Sequence, residues 1–272
     1  MILNPLLAFA NKTFHRVDMI SIALLVLYGG VLLTNIIGLL VDEKIIDYIT
    51  QPLLLVPLGV FYIVQVTDRW HWVTKVFLAG LVLAWIGDTA LVVDTSLAFY
   101  VGLAAFAIMR VLYTVGFFGI PMGTLLWAYI AGSFAWLASA VPLIVYLDAF
   151  LTSLQLLLII VYILISAIMS GMSAALRWYG VLAALLFNIC DVLLAIDKFA
   201  QPSWTFEERY IGVIIIATYG LSQLLYVLGM LKYARRKPSK PGITFDVQSI
   251  TRASEHSFTA IPVLVKSRAY VV

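Results

Sequence analysis

MISIALLVLYGGVLLTNIIGLLV, residues Met19–Val41, runs without a single charged side chain. As a helix rising 1.5 Å per residue it is long enough to cross the ~30 Å hydrocarbon core of a bilayer. Further apolar runs of the same kind follow at Ile49–Val66, Val76–Val93, Leu97–Phe118, Thr124–Leu147, Phe150–Gly171, Trp178–Ile196 and Ile211–Leu231. Eight such spans leave no room for a second folded domain in 272 residues. The composition agrees, with 63% hydrophobic and 11% charged residues and a mean hydropathy of +1.05. Soluble domains carry roughly 25% charged residues, so a soluble globule and a disordered chain are both excluded. An outer-membrane barrel is excluded as well, because its strands alternate over ~10 residues and these runs are continuously apolar.

A bilayer offers backbone amides no water, so continuous apolar runs must be helices. The expected fold is therefore all-α, a polytopic bundle of eight transmembrane helices over residues 1–237, with a polar, unstructured tail over 238–272. Lysines and arginines near the span ends divide unequally. Ten lie on the side shared by both termini (Lys12, Arg16, Arg69, Lys75, Arg177 and five between Lys232 and Lys240) and three on the other (Lys44, Lys198 and Arg209). The positive-inside rule then puts both termini in the cytoplasm. The run around Lys12 and Arg16 followed by a long first span reads as an anchor helix rather than a removable signal. The formal net charge of +3 follows from this bias. The basic cluster suits a stop-transfer signal or anionic membrane lipid, and no basic patch interleaved with aromatics suggests nucleic acid. Protein partners are not readable.

One cysteine, Cys190, leaves no intrachain disulfide or Cys-rich metal site. The histidines His15, His71 and His256 all flank the spans, so no zinc motif or Ser–His–Asp relay assembles from them within the membrane. No metal and no cofactor is expected. Asp88-Thr-Ala-Leu91-Val-Val-Asp94 and Asp191-Val-Leu-Leu194-Ala-Ile-Asp197 share one spacing in spans three and seven. The echo is compatible with a parallel repeat of four helices plus four.

An ionisable side chain in hydrocarbon costs at least ~2.5–3.5 kcal/mol, so it marks function by default. This chain has Asp88, Arg110 and Asp191 in mid-span. On the expected topology both aspartates lie about six residues before the outer span ends, roughly 9 Å deep at 1.5 Å per residue. Arg110 lies deeper and can reach toward either. Polar companions fall at helical spacing: Asn188 one turn before Asp191, Tyr113 after Arg110, Tyr219 with Gln223 and Tyr226, and Tyr162 with Ser166 and Ser170. A structural ion cluster gluing the bundle accounts for the same residues. Cys190 points about 100° away from Asp191 around its helix and is assigned to packing.

Further motifs thread these spans: Gln51-Pro52-Leu53-Leu54-Leu55-Val56-Pro57, Gly87-Asp88 with Leu91, and Gly102-x-x-x-Phe106-x-x-x-Arg110-x-x-Tyr113. Then come Tyr162 with Met169, Phe187-x-x-Cys190-Asp191-x-x-Leu194-Ala195-x-x-x-Phe199, and Tyr219-x-x-Ser222-Gln223. Their order and spacing resemble the YhhN-like lysoplasmalogenases, eight-span membrane hydrolases, over nearly all of spans two to eight. The resemblance implies cleavage of the vinyl ether bond of a lysoplasmalogen, a lysophospholipid, to a fatty aldehyde and a glycerophospho-head group. It makes Asp88 and Asp191 the catalytic carboxylates. Gln51 stands where that family usually has lysine, Arg110 where it has histidine and Cys190 where it has serine. Arginine cannot serve as a general acid or base.

Vinyl ether chemistry needs one acid that holds its proton at pH 7 and one ionised group that steadies an oxocarbenium ion or activates water. Two aspartates meeting across a sheltered cavity would supply both. The donor role is given first to Asp191, beside Asn188, and the stabilising role to Asp88, with the reverse order open. Tyr113, Tyr219 and Gln223 are expected to position water and glycerol oxygens, Arg110 to hold a carboxylate ionised or bind phosphate, and Gln51 and Tyr162 to line the site. A proton-coupled or lipid transporter built on the same Asp/Arg cluster is the rival reading. A retinal protein would need a mid-span lysine, and Lys75, Lys198 and Lys232 all stand at span ends. A purely structural membrane protein is the remaining alternative.

Overall fold

In a computed structural model the described residues are 19–66, 71–93, 95–120, 126–200 and 208–234, all within one compact unit, Met1–Arg236. The expected tail, Asp94 and most of the basic loop residues lie outside them. Eight long helices occupy the described chain: α1 Met19–Val41, α2 Lys44–Gln65, α3 Trp72–Leu91, α4 Ser96–Phe118, α5 Leu126–Leu147, α6 Ser153–Met172, α7 Trp178–Phe199 and α8 Glu208–Ala234. Each is long and apolar enough to cross a membrane, and the protein is a multi-pass membrane protein.

Local chemistry sets the ends. Thr95 caps α4 by accepting from the Ala98 amide, and Thr152 forms a capping box with Gln155 at the start of α6, satisfying donors a helix start leaves open. Pro52 and Pro57 lie inside α2 and Pro142 inside α5. The Trp85 indole N–H of α3 donates to the Pro52 carbonyl at 2.7 Å. Between α6 and α7 a 3₁₀ turn, Ser173–Leu176, leads into Arg177 at φ 59°. A Cβ on Gly180 would stand 1.7 Å from the Ser173 carbonyl oxygen, so this reversal requires glycine there.

Sequential neighbours pack in pairs, α1 on α2, α3 on α4, α5 on α6 and α7 on α8. The ring closes through α2 on α3, α4 on α6, α6 on α7 and α8 on α1, with α5 outside against α6 and α7. α3 and α7 are not a closely packed pair, so no helix seam joins Asp88 to Asp191. That interior is aromatic: Tyr62, Phe77, Tyr113, Phe117, Phe187 and Tyr226 are fully enclosed. Leucine, isoleucine and valine face outward, as Val26, Leu53, Leu164 and Ile189 do. In water so large an apolar surface would drive association; in a bilayer it is the lipid contact.

Candidate active site

Each mid-span ionisable group is inside the ring. Arg110 on α4 is 0% exposed and Asp88 on α3 is 3% exposed, and the Asp191 side chain on α7 is 8% exposed. Helix faces explain this, because any of the three turned toward lipid would lose hydration without gaining a partner.

Arg110 chooses Asp191. Its Nη2 donates to Asp191 Oδ2 in an ion pair and to the Tyr162 hydroxyl at 3.0 Å. Tyr162 in turn donates to Asp191 Oδ1 at 3.1 Å, so a phenol bridges cation and anion. The guanidinium lies over the Phe187 ring at 4.2 Å and the Tyr162 ring at 4.8 Å, and Nη1 meets the Met169 sulfur at 3.9 Å. Planar stacking with bonds at the rim suits arginine and not lysine.

Asp88 has a different setting. The Tyr219 hydroxyl of α8 donates to its Oδ2 at 2.9 Å, and no Lys or Arg forms an ion pair with it among the described residues. Tyr219 stands edge-on to Phe106 at 6.0 Å and to Phe187 at 5.6 Å. Phe187 therefore touches both centres, Arg110 with its face and Tyr219 by an edge-on contact.

An apolar cavity lies between α4, α5, α6 and α7, with Phe106, Trp136, Ile163, Leu194 and Phe199 in its wall. Asp191 and Tyr162 are its polar lining residues, since the Trp136 indole N–H is spent on the Ile163 carbonyl at 3.0 Å. Asp88 does not line it.

Two sequence expectations need correction. This cavity is not shared by the two carboxyls: Asp191 lines it, and Asp88 accepts from Tyr219, which meets the cavity-lining Phe106. Nor do they stand equally far from their helix ends, because α3 ends at Leu91 and α7 continues to Phe199. The charged residue Lys198 and the aromatic Phe199 extend α7 beyond the apolar run. Asn188 accepts from Ser170 at 3.2 Å, which ties α7 to α6. Gln51 is half-buried on α2, a helix that packs on α1, α3 and α8. Tyr113 donates to Gln223 Oε1 at 2.9 Å, and Cys190 is a buried free thiol.

Phe187, Phe106 and Met169 carry geometry that the sequence motifs contained without showing their roles. Tyr28 of α1 was not signalled at all; it donates to the Gly220 carbonyl at 2.7 Å, next to Tyr219. No cluster of three or more metal-ligating side chains occurs among the described residues.

Fold and site define an eight-helix membrane protein with a buried guanidinium–carboxylate pair in the wall of an apolar cavity and a second buried carboxyl that has a phenol as its partner. A family model described as the YhhN family matches residues 46–230, and the chain belongs to that family. No curated protein and no solved structure matches it.

Proposed function

We propose that the protein hydrolyses the vinyl ether bond of a lysoplasmalogen, releasing a fatty aldehyde and the glycerophospho-head group. The observation that carries this reading is the unequal charge setting of the two interior carboxyls. Asp191 is ion-paired with Arg110 in the cavity wall, and Asp88 has the Tyr219 phenol as its partner. Membership of the YhhN family supports the choice of chemistry.

The reaction begins when a proton is added to the outer vinyl carbon, leaving positive charge shared between the other vinyl carbon and the ether oxygen. Water adds to that carbon and loses a proton, and the resulting hemiacetal breaks into aldehyde and alcohol. One proton enters and one leaves, so the net change is addition of one water. Asp191, kept ionised by Arg110, is the group that steadies the cation and takes the proton from water. Asp88 supplies the proton, because a carboxylate without a cation is expensive in apolar surroundings. This reverses the order of roles placed first from sequence, and Arg110's choice of partner is the reason. Tyr162, Tyr113 and Gln223 hold water and glycerol oxygens in this reading. Both termini are proposed to face the cytoplasm, on the strength of the unequal distribution of lysine and arginine.

Purified protein in nanodiscs, given lysoplasmenyl lipid, should release aldehyde, and Asp88→Asn and Asp191→Asn should each lower turnover by about 100-fold or more. Unchanged turnover in either variant removes that residue from the mechanism. No aldehyde from the unaltered protein, folded and intact, removes the function.

A further inference from the structure

The interior changes polarity along the bundle axis. From Asp191 toward the C-terminal ends of α3 and α7 the cavity is bounded by Leu91, Phe99, Leu194, Ala195 and Phe199, none of which offers a side-chain hydrogen bond. These five are half-buried, so on this side the cavity opens toward lipid. In the opposite direction, toward the C-terminal halves of α4 and α8, stand Tyr113, Ser222, Gln223 and Tyr226, all fully buried. There Gln223 Nε2, Ser222 Oγ and Arg110 Nε have no hydrogen-bond partner among the described residues. Unsatisfied buried polar atoms are rare in folded proteins and point to polar groups that bind among them.

An amphiphile placed in this interior has one favourable direction. A glycerophosphate among Leu194, Ala195 and Phe199 would be stripped of water without replacement bonds, whereas a hydrocarbon chain there loses nothing. Resting on the hydrolase reading, we infer that the cavity is the aliphatic-chain subsite of the substrate. The chain runs from Asp191 past Ala195 to Phe199, and the polar end of the lipid points toward Gln223 and Tyr226. Ala195 and Phe199 fall four and eight residues after Asp191 on one helical face, about 6 Å and 12 Å along the axis. They therefore meet carbons well beyond the reacting bond and act as length-selecting residues. Trp136, held by its bond to the Ile163 carbonyl, packs beside the chain.

Two measurements test this. Turnover is compared on lysoplasmenyl lipids of one head group bearing short or long alkenyl chains. Ala195→Phe should lower the long-to-short ratio of kcat/KM about tenfold, within the 10–200-fold range by which apolar pockets discriminate single methylenes, and Phe199→Ala should raise it. If Ala195→Phe depresses both chain lengths equally, or its effect follows head-group size, the chain does not lie there and the proposal is overturned. The second measurement needs no turnover. A brominated single-chain alcohol should quench a saturable part of the tryptophan fluorescence that Trp136→Phe abolishes. Absence of that saturable part overturns the subsite even where aldehyde is released. Its presence with no aldehyde released supports the subsite and overturns only the hydrolase reading.

Discussion

Arg110 and Asp191, 81 positions apart in sequence, form a buried ion pair whose two members are also joined through the Tyr162 hydroxyl. The guanidinium is covered by Phe187 and Tyr162, so it has little solvent screening, and among the described residues Asp191 is its one carboxylate partner. The pairing gives Asp191 a cationic partner that Asp88 lacks among the described residues.

Removing one member of such a pair leaves an unmatched interior charge. Asp191→Asn should therefore destabilise the protein by about 3–5 kcal/mol, whereas replacing both members with apolar residues is often neutral or stabilising. Thermal unfolding in detergent should show a lowered Tm for Asp191→Asn and recovery in Arg110→Met combined with Asp191→Leu. Turnover should stay absent in both. A double variant no more stable than Asp191→Asn would mean that packing around the site, and not charge, sets the loss.

Tyr219 is the hydrogen-bond donor to Asp88, and its ring also contacts Phe106 and Phe187. Tyr219→Phe keeps the ring and deletes the bond. A hydrogen bond of this class contributes about 1 kcal/mol, so kcat should fall by roughly fivefold, well short of the loss in Asp88→Asn. Steady-state aldehyde release decides the matter. Equal losses in the two variants would make Tyr219 itself the proton carrier.

Much of this architecture was legible because hydrocarbon imposes its own grammar. The run Met19–Val41 coincides with α1, and Asp88, Arg110 and Asp191 turn inward as their charge demands. The start of α2 was not legible: Lys44 and Asp47 extend it ahead of the apolar run at Ile49, since polar residues at a membrane boundary can still be helical. Nor was Arg110's partner. Its choice depends on α4 packing against α6, which delivers Tyr162, and on α3 and α7 standing apart, and helical periodicity carries no information about the order of helices around a ring. The stripe Tyr219–Gln223–Tyr226 marked one face correctly, but Tyr219 turned to Asp88 and Gln223 to Tyr113.

The resemblance placed histidine as the usual residue where this chain has Arg110. Arginine stays charged at every pH an assay can use, so the Asp191 partner should not titrate out. Arg110→His installs a group that changes charge between about pH 6 and 8. Its cationic form can pair with Asp191 and its neutral form cannot. Activity of the variant should therefore fall as pH rises through that window, a limb missing from the unaltered protein. A pH–rate profile of kcat/KM for both proteins checks this, and superimposable profiles would show that the charge at position 110 does not govern Asp191.

Gly87 offers a test of how the Asp88 centre communicates with the cavity. A Cβ at this position would stand 2.8 Å from Phe106 Cε2 and 2.9 Å from Cζ, inside the range where something must move. The displaced group is an aromatic ring that both lines the cavity and meets Tyr219 edge-on. Overpacking of this kind costs about 1–3 kcal/mol, so Gly87→Ala should lower Tm. It should also reduce turnover, because the ring has to shift into the cavity or against the Asp88 partner. Shrinking the ring relieves the clash from the other side, and Phe106→Leu added to Gly87→Ala should recover part of both losses. Recovery of Tm without recovery of turnover would show that Phe106 is needed at the site as an aromatic surface. A Gly87→Ala protein with unaltered Tm and turnover would mean that the ring moves freely and does not link the two carboxyl centres.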